Sequence, residues 1–232
     1  MTYLSGERCK DGLVVMSDSR ITDENSEDIG IKIFCPIPNV VVGASGVTGI
    51  FSKFLRRIKK YVKENKVQSS EQLLEVMEDI VFELTTRYHR RASGQTIELI
   101  VAIKNDKESG AELYHITPWG IPEDITRNHA IGSGQPFGAV FLKANRMELR
   151  HMQETAVFGT FILNVIAGYG LDNAVDNTPQ IWFIPFDGYI HQPSSEEVGE
   201  IMRQSFQMGI EFNNFLHRLG KNQDSVRDLK TT

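Results

Sequence analysis

The stretch Thr2-Tyr3-Leu4-Ser5-Gly6, followed by Lys10-Asp11-Gly12-Leu13-Val14-Val15 and Ser17-Asp18-Ser19-Arg20, sets the architecture that the rest of the chain has to complete. Residues 2–8 and 13–18 are short strand-like runs, and Asp11-Gly12 between them is a strong signal for a tight hairpin turn. Residues 31–34 and 40–43 form two more such runs on either side of Pro36 and Pro38. The period then changes. Over residues 47–62, Val47, Ile50, Phe51, Phe54, Leu55, Ile58 and Val62 share one face of a helix. A second helix carries Leu73, Leu74, Met77, Ile80, Val81, Leu84 and Tyr88 at the same period, with Ser69 or Ser70 as its N-cap.

Beyond Gly94, residues 96–103 and 111–116 read as a hairpin joined by the polar loop 105–110. A helix over 152–169, a strand over 180–184 and a last helix follow, the last with Val198, Ile201, Met202, Phe212, Leu216 and Leu219 as its apolar spine. Strands, paired helices, strands and a final helix predict an α+β fold. Antiparallel sheets with two apolar faces must pack on each other and leave the helices outside, a four-layer αββα sandwich. Residues 1–220 are read as one domain and residues 221–232, ending in Thr231 and Thr232, as a polar tail.

The composition agrees with a single packed domain. The chain has 232 residues, 41% of them apolar and 24% charged, enough to bury a sizeable core. A net charge of −5 gives no electrostatic reason to expect nucleic acid or anionic lipid as a partner. A peptide or small-molecule substrate fits better. Cys9 and Cys35 form no CxxC pair, and the expectation is two buried reduced thiols. Glu7, Arg8, Lys10 and Asp11 interrupt any secretory h-region, so a cytoplasmic location is expected. The most apolar stretch, 156–170, falls short of the roughly 20 residues that span a bilayer and is read as a buried core helix.

The opening motifs resemble the start of a proteasome β-type subunit, a member of the N-terminal nucleophile hydrolase superfamily. That family begins its mature chain with threonine and continues through a Lys-Asp-Gly hairpin to an Asp-Ser-Arg, in the order and spacing found here. The resemblance implies Thr2 as nucleophile once Met1 is removed, Asp18 and Lys32 as its charged partners, and Gly46, within Gly43-Ala44-Ser45-Gly46, as the oxyanion donor. Ser133, in Gly132-Ser133-Gly134, and Asp176 are implied less closely, because Asn177-Thr178-Pro179-Gln180 replaces the family's serine and glycines after that aspartate. Ala44 and Thr48 fall at the substrate pocket, which implies a roomy site without a fixed charge. The family also implies a homo-oligomeric ring and an unfolding ATPase as partner, and no cofactor.

The chemistry explains the choice of residues. A hydroxyl needs a base to act as a nucleophile, and a free α-amine, with a pKa near 7.7 to 8.0, is a base carried by the same threonine. A lysine ammonium beside it favours the neutral amine by like-charge repulsion, and an aspartate holds that lysine. Each residue also has a plainer reading: Asp18 as a strand end, Lys32 as a solvated strand residue, Gly43 and Gly46 as turn glycines. What favours the catalytic reading is their joint occurrence in order. A non-catalytic assembly subunit and an amide ligase or acyl transferase on the same fold are the alternatives. Against the first, α-type subunits carry an extra helix before their first strand, for which this chain has no room. The histidines show no HExxH or paired-ligand spacing, so no catalytic metal is expected. Arg56, Arg57, Lys59, Lys60 and Lys63 lie off the apolar face of their helix, as a solvated or intersubunit face.

Overall fold

A computed structural model describes residues 2–23, 26–65, 67, 69–89, 96–105, 110–144 and 149–228, with backbone alone at 21–29, 144 and 219–228. The first hairpin pairs β1 (Leu4–Arg8) with β2 (Gly12–Asp18), Leu4 opposite Ser17 and Arg8 opposite Leu13. A two-stranded ribbon, β3 (Arg20–Asp23) and β4 (Ser26–Ile29), leads to β5 (Ile33–Ile37) and β6 (Val40–Gly46). Pro36 is accommodated because β5 is an edge strand whose register shifts between Phe34 and Ile37. Next come α1 (Thr48–Glu64) and α2 (Ser70–Tyr88), the latter capped by Ser69, whose hydroxyl accepts from the Gln72 N–H at 3.1 Å. The strands β7 (Ile97–Asn105), β8 (Gly110–Ile116) and the short β9 (Pro122–Asp124) form a meander. The chain then crosses back through β10 (Asn128–Ile131), α3 (Gln135–Ala144), α4 (Met152–Gly168), β11 (Pro179–Pro185) and α5 (Ser195–Asp228).

Among the described residues the two main sheets run in the orders β10-β1-β2-β11 and β5-β6-β7-β8-β9, with antiparallel neighbours throughout. They stack on a dry centre of Leu4, Leu13, Val15, Val41, Ile100 and Leu113. The alternate residues of β6 and β7, among them Val42 and Val101, face away from that centre onto Ile50, Phe54, Met77 and Val81 of α1 and α2. On the opposite side, Tyr3, Val14 and Met16 meet Phe158, Phe161 and Ile162 of α4 and Ile201 of α5. The four-layer αββα sandwich is therefore the observed fold.

Helix α4 is buried from Thr155 through Leu163, as its all-round apolar sequence predicts. Its start is fixed from two directions. Glu154 Oε2 accepts from the His151 N–H at 3.0 Å, and Asp11 Oδ1, in the first hairpin turn, accepts from the Met152 N–H at 2.9 Å. Sequence reading missed β3, β4, β9, β10 and α3. Cys9 is buried, donating to Thr155 Oγ1 at 3.2 Å, but Cys35 is only half-buried because it lies on the edge strand. Arg56, Lys59, Lys60 and Lys63 are exposed on α1, as their spacing predicts.

The face of β1 turned toward α3 and α4 carries a polar row, Tyr3, Ser5 and Glu7, all buried. Among the described residues, Glu7 Oε1 finds no hydrogen-bond partner. Burial pushes the Glu7 carboxyl up from 4.5 to about 7, with the Arg150 charge pulling the other way. The folded protein thus holds the proton more tightly than the unfolded chain does, so this group's contribution is favourable below pH 4.5 and is lost as pH rises to about 7. Its full extent is about 3 kcal/mol. Glu7→Gln, which cannot ionise, should gain stability relative to the native sequence as pH goes from 5 to 8. Urea midpoints across that range test this, and parallel curves for the two proteins would contradict it.

Candidate active site

The first hairpin sets Thr2 beside the end of β2. Asp18, the last residue of that strand, is fully buried; its N–H donates to the Tyr3 carbonyl at 3.2 Å, and its Oδ1 accepts from the Tyr3 N–H at 2.9 Å. Asp18 Oδ2 accepts from Lys32 Nζ at 2.7 Å and from the Arg20 N–H at 3.2 Å. Lys32 belongs to the other sheet. It lies immediately before β5, 4% exposed, with its N–H donating to Gln180 Oε1 at 3.0 Å and its carbonyl accepting from the Ala44 N–H at 3.0 Å. The lysine is thereby fixed at the main chain as well as at the ammonium.

Burial lowers the Lys32 pKa from its ordinary value, opposed by the attraction of Asp18 and of Asp176. Burial likewise raises that of Asp18, offset by Lys32 and by the Tyr3 N–H.

The Thr2 backbone is clasped from β10 onward. Its carbonyl accepts from the Gly134 N–H at 3.2 Å. Gly132, at φ +93°, has room only for hydrogen, since a Cβ there would stand 2.1 Å from the Thr2 carbonyl oxygen and 2.8 Å from Ser45 Oγ. That close approach brings the end of β6 to Thr2. Ser133, between these glycines, has its hydroxyl buried with no hydrogen-bond partner among the described residues. Gly46, the last residue of β6, is exposed at φ +129°, and a Cβ would lie 2.0 Å from the Thr96 carbonyl oxygen. Ala44 is buried in the cluster it shares with Ile50 and Leu99, and Thr48 is half-buried at the first residue of α1.

Asp176 does not touch Lys32 or Thr2 directly in this arrangement. Its carboxylate accepts from the Ser19 N–H at 3.0 Å, from Ser19 Oγ at 2.9 Å and from the Thr178 N–H at 3.2 Å. Ser19 adjoins Asp18, so Asp176 acts on the charged pair through the chain and through space. Sequence reading left Ser19 without a role although it stood inside the motif. The Ser-Asp-Ser spacing marked it, but its partner is 157 residues away. Tyr3, Ser45 and Gln180 were missed for the same reason. Removal of Met1 lies outside the described residues. Among the described residues no group of His, Cys, Asp and Glu side chains could hold a metal ion, and no helix is long and apolar enough to cross a membrane.

Comparison with known proteins follows the same line. Two "Proteasome subunit alpha" chains from Methanococcus maripaludis are similar: that of strain C5 is 25% identical over 63% of this chain and 57% of its own length, and that of strain C7 is 24% identical over 70% and 63%. The chain thus spans about three fifths of the length of the curated relatives it matches. The solved structure of Anbu (ancestral beta-subunit) from Yersinia bercovieri superposes with a TM-score of 0.75, covering 93% of this chain and 96% of that one at 15% identity. An Anbu (Gly-1) mutant from Hyphomicrobium sp. strain MC1 gives 0.74 over 94% and 97%, also at 15% identity. At that identity the likeness is one of fold. The family described as proteasome subunit matches residues 4–193, which is most of the chain and takes in both sheets and both helical layers. With the sandwich and this family match agreeing, the chain belongs to the proteasome-subunit family.

Proposed function

We propose that the chain is an N-terminal-threonine peptidase that cuts amide bonds of peptides or unfolded protein through an acyl-enzyme on Thr2, after Met1 has been removed. One observation carries the reading: the carboxylate that binds the buried Lys32 ammonium at 2.7 Å also binds the N–H of Tyr3, the residue joined to Thr2. A buried cation is thereby tied to the peptide group next to the proposed nucleophile.

In this reading the Thr2 α-amine takes the proton from its own Oγ, directly or through one water, as Oγ attacks the substrate carbonyl. Lys32, with its pKa lowered by burial, favours the neutral amine and stabilises the oxygen as it loses its proton. The Gly46 N–H faces the developing oxyanion, whose approach needs a residue without Cβ. The amine returns the proton to the leaving nitrogen, and water then releases the acyl group. Asp18 orients Lys32, Asp176 holds Ser19 next to Asp18, Ser133 lies between the glycines packed on Thr2, and Ala44 with Thr48 shapes the substrate pocket. Assembly into a homo-oligomeric ring, with an unfolding ATPase as partner, would keep such a site away from folded proteins in the cytoplasm.

A second reading, a non-catalytic assembly subunit, is favoured by one finding: the curated relatives are named subunit alpha. Intact mass of the purified protein separates the two. The peptidase reading expects loss of Met1 from the 26.2 kDa chain, and retention of Met1 in most molecules would leave Thr2 with an amide in place of its base. Thr2→Ala should abolish peptide hydrolysis and labelling by threonine-directed electrophiles without unfolding the protein, whereas Thr2→Ser should keep part of the activity. Full activity in Thr2→Ala would place the nucleophile elsewhere. Lys32→Ala should slow the chemical step by at least about 10²-fold, and Lys32→Arg should rescue little, because a planar guanidinium cannot occupy the ammonium's position. Near-normal single-turnover rates in both variants would remove Lys32 from the mechanism.

A further inference from the structure

Helix α5 is 34 residues long, about 51 Å at 1.5 Å per residue, and it outruns the body it packs on. Its inward stripe, Ile201, Ser205, Met208 and Phe212, is spaced four, three and four apart and lies against α4. Phe212 ends the contact, its ring 6.0 Å from that of Phe141 and 5.7 Å from that of Phe161, and one residue on Asn213 accepts from the Tyr169 hydroxyl. The next member of the stripe, Phe215, is 55% exposed, and every residue from 214 to 218 is exposed. About 15 residues, roughly 22 Å of helix containing Gly220, lie beyond Asn213. A helical segment of that length has little stability in water unless something packs against it.

A second stripe runs along the outer side of the same helix. Met202, Phe206, Gly209, Asn213 and Leu216 follow a four-three-four-three spacing, the repeat of a helix seam, and Phe206 is 68% exposed. Beside it, α4 and α5 enclose a groove of about 380 Å³ that includes Gly168, Tyr169, Phe206, Gly209 and Ile210. A Cβ at Gly168 or Gly209 would meet nothing within 4 Å, so the groove is open at both glycines. Charge is unevenly distributed along the helix: Glu196, Glu197 and Glu200 lie at its start, where Arg203 donates to Glu200 at 2.8 and 2.6 Å and leaves a net negative charge, and His217 with Arg218 lie in the extension. An antiparallel copy of the same helix brings opposite charges together at both ends.

We propose that this face binds a second copy of the chain, with the two α5 helices antiparallel about a twofold axis near Gly209. Phe206 of each copy seats beside Gly209 and Ile210 of the other, and each extension lies along the acidic start of its neighbour's α5, Arg218 near Glu197 and Glu200. The contact is isologous, so one patch serves both partners. This inference deepens the self-assembly part of the proposed function and is independent of Thr2 chemistry.

Gly209→Cys is the direct test, because the new side chain meets nothing in its own chain. Mild oxidation should give a disulfide-linked dimer, while the native chain with only Cys9 and Cys35 stays unlinked. Light scattering at micromolar concentration should show the full chain at a multiple of 26.2 kDa. Ending the chain after Asn213, or the exposed substitution Phe206→Glu, should weaken pairing at least tenfold, with the fold checked by circular dichroism. Arg218→Glu should weaken pairing, and adding Glu200→Arg should restore it. A full chain that remains monomeric and unlinked overturns both the surface and the self-assembly reading. Assembly that survives truncation and Phe206→Glu unchanged overturns this surface alone, and peptidase activity of the same samples reports on Thr2 separately.

Discussion

The contact between Lys32 and Asp18 joins the two sheets at the end where Thr2 lies. Asp18 closes β2 in one sheet and Lys32 immediately precedes β5 in the other, so their 2.7 Å contact bridges the two sheets at that end. Two charges have been taken out of water, and their mutual attraction has to offset that loss. The surrounding bonds make it possible: the Asp18 carboxylate also accepts from the Tyr3 and Arg20 N–H groups, and Lys32 is held at its main chain by Gln180 and Ala44. Removing either partner would leave the other buried and uncompensated, at a cost of about 3–5 kcal/mol. The pair is therefore a structural staple before any chemistry is assigned to it.

Close backbone approach is the second requirement, and two glycines meet it. At Gly132 a side chain would collide with the Thr2 carbonyl oxygen, and at Gly46 with the Thr96 carbonyl oxygen. Both also adopt positive φ, which side chains resist. With these positions filled by glycine, β10 can lie against the chain at Thr2 while the end of β6 reaches Ser45 to the same place. The site is thus built from main-chain proximity between sheets, with the charged side chains set into it.

Much of this was legible in the sequence because period and turn chemistry are local. Asp11-Gly12 marked the first hairpin, Ser69 marked the start of α2, and the apolar faces of α1 and α2 stood out at helical spacing. The elements that escaped have physical reasons. Strand β9 is Pro-Glu-Asp, exposed throughout, and carries no alternation to detect. Strand β10 is four residues long and owes its place to β1. Helix α3 is short and follows directly on a glycine turn. In the candidate site, Thr2, Asp18 and Lys32 were implied by the resemblance of the opening motifs to the proteasome β-type family. The bond from Ser19 to Asp176 was not, since nothing local in either segment records a partner in the other.

The charged pair bears on function in a way that separates fold from activity. Because Lys32 and Asp18 hold the sheets together, they are needed whether or not the chain cuts peptides, and their presence is compatible with a catalytic and with a purely structural subunit. The difference rests on one bond. In the proposed peptidase reading, a free α-amine on Thr2 gives Lys32 a titrating neighbour whose basicity it tunes; with that nitrogen acylated, the same lysine only holds the fold. In that reading a change at Lys32 acts on stability and on chemistry together, and a slower reaction in such a variant has two sources. A change at the Thr2 hydroxyl removes the proposed nucleophile while leaving the staple, the Tyr3 backbone bonds and the glycine contacts in place. In the proposed peptidase reading, catalysis is accordingly decided by the state of the Thr2 nitrogen, in a frame that the buried pair has already fixed.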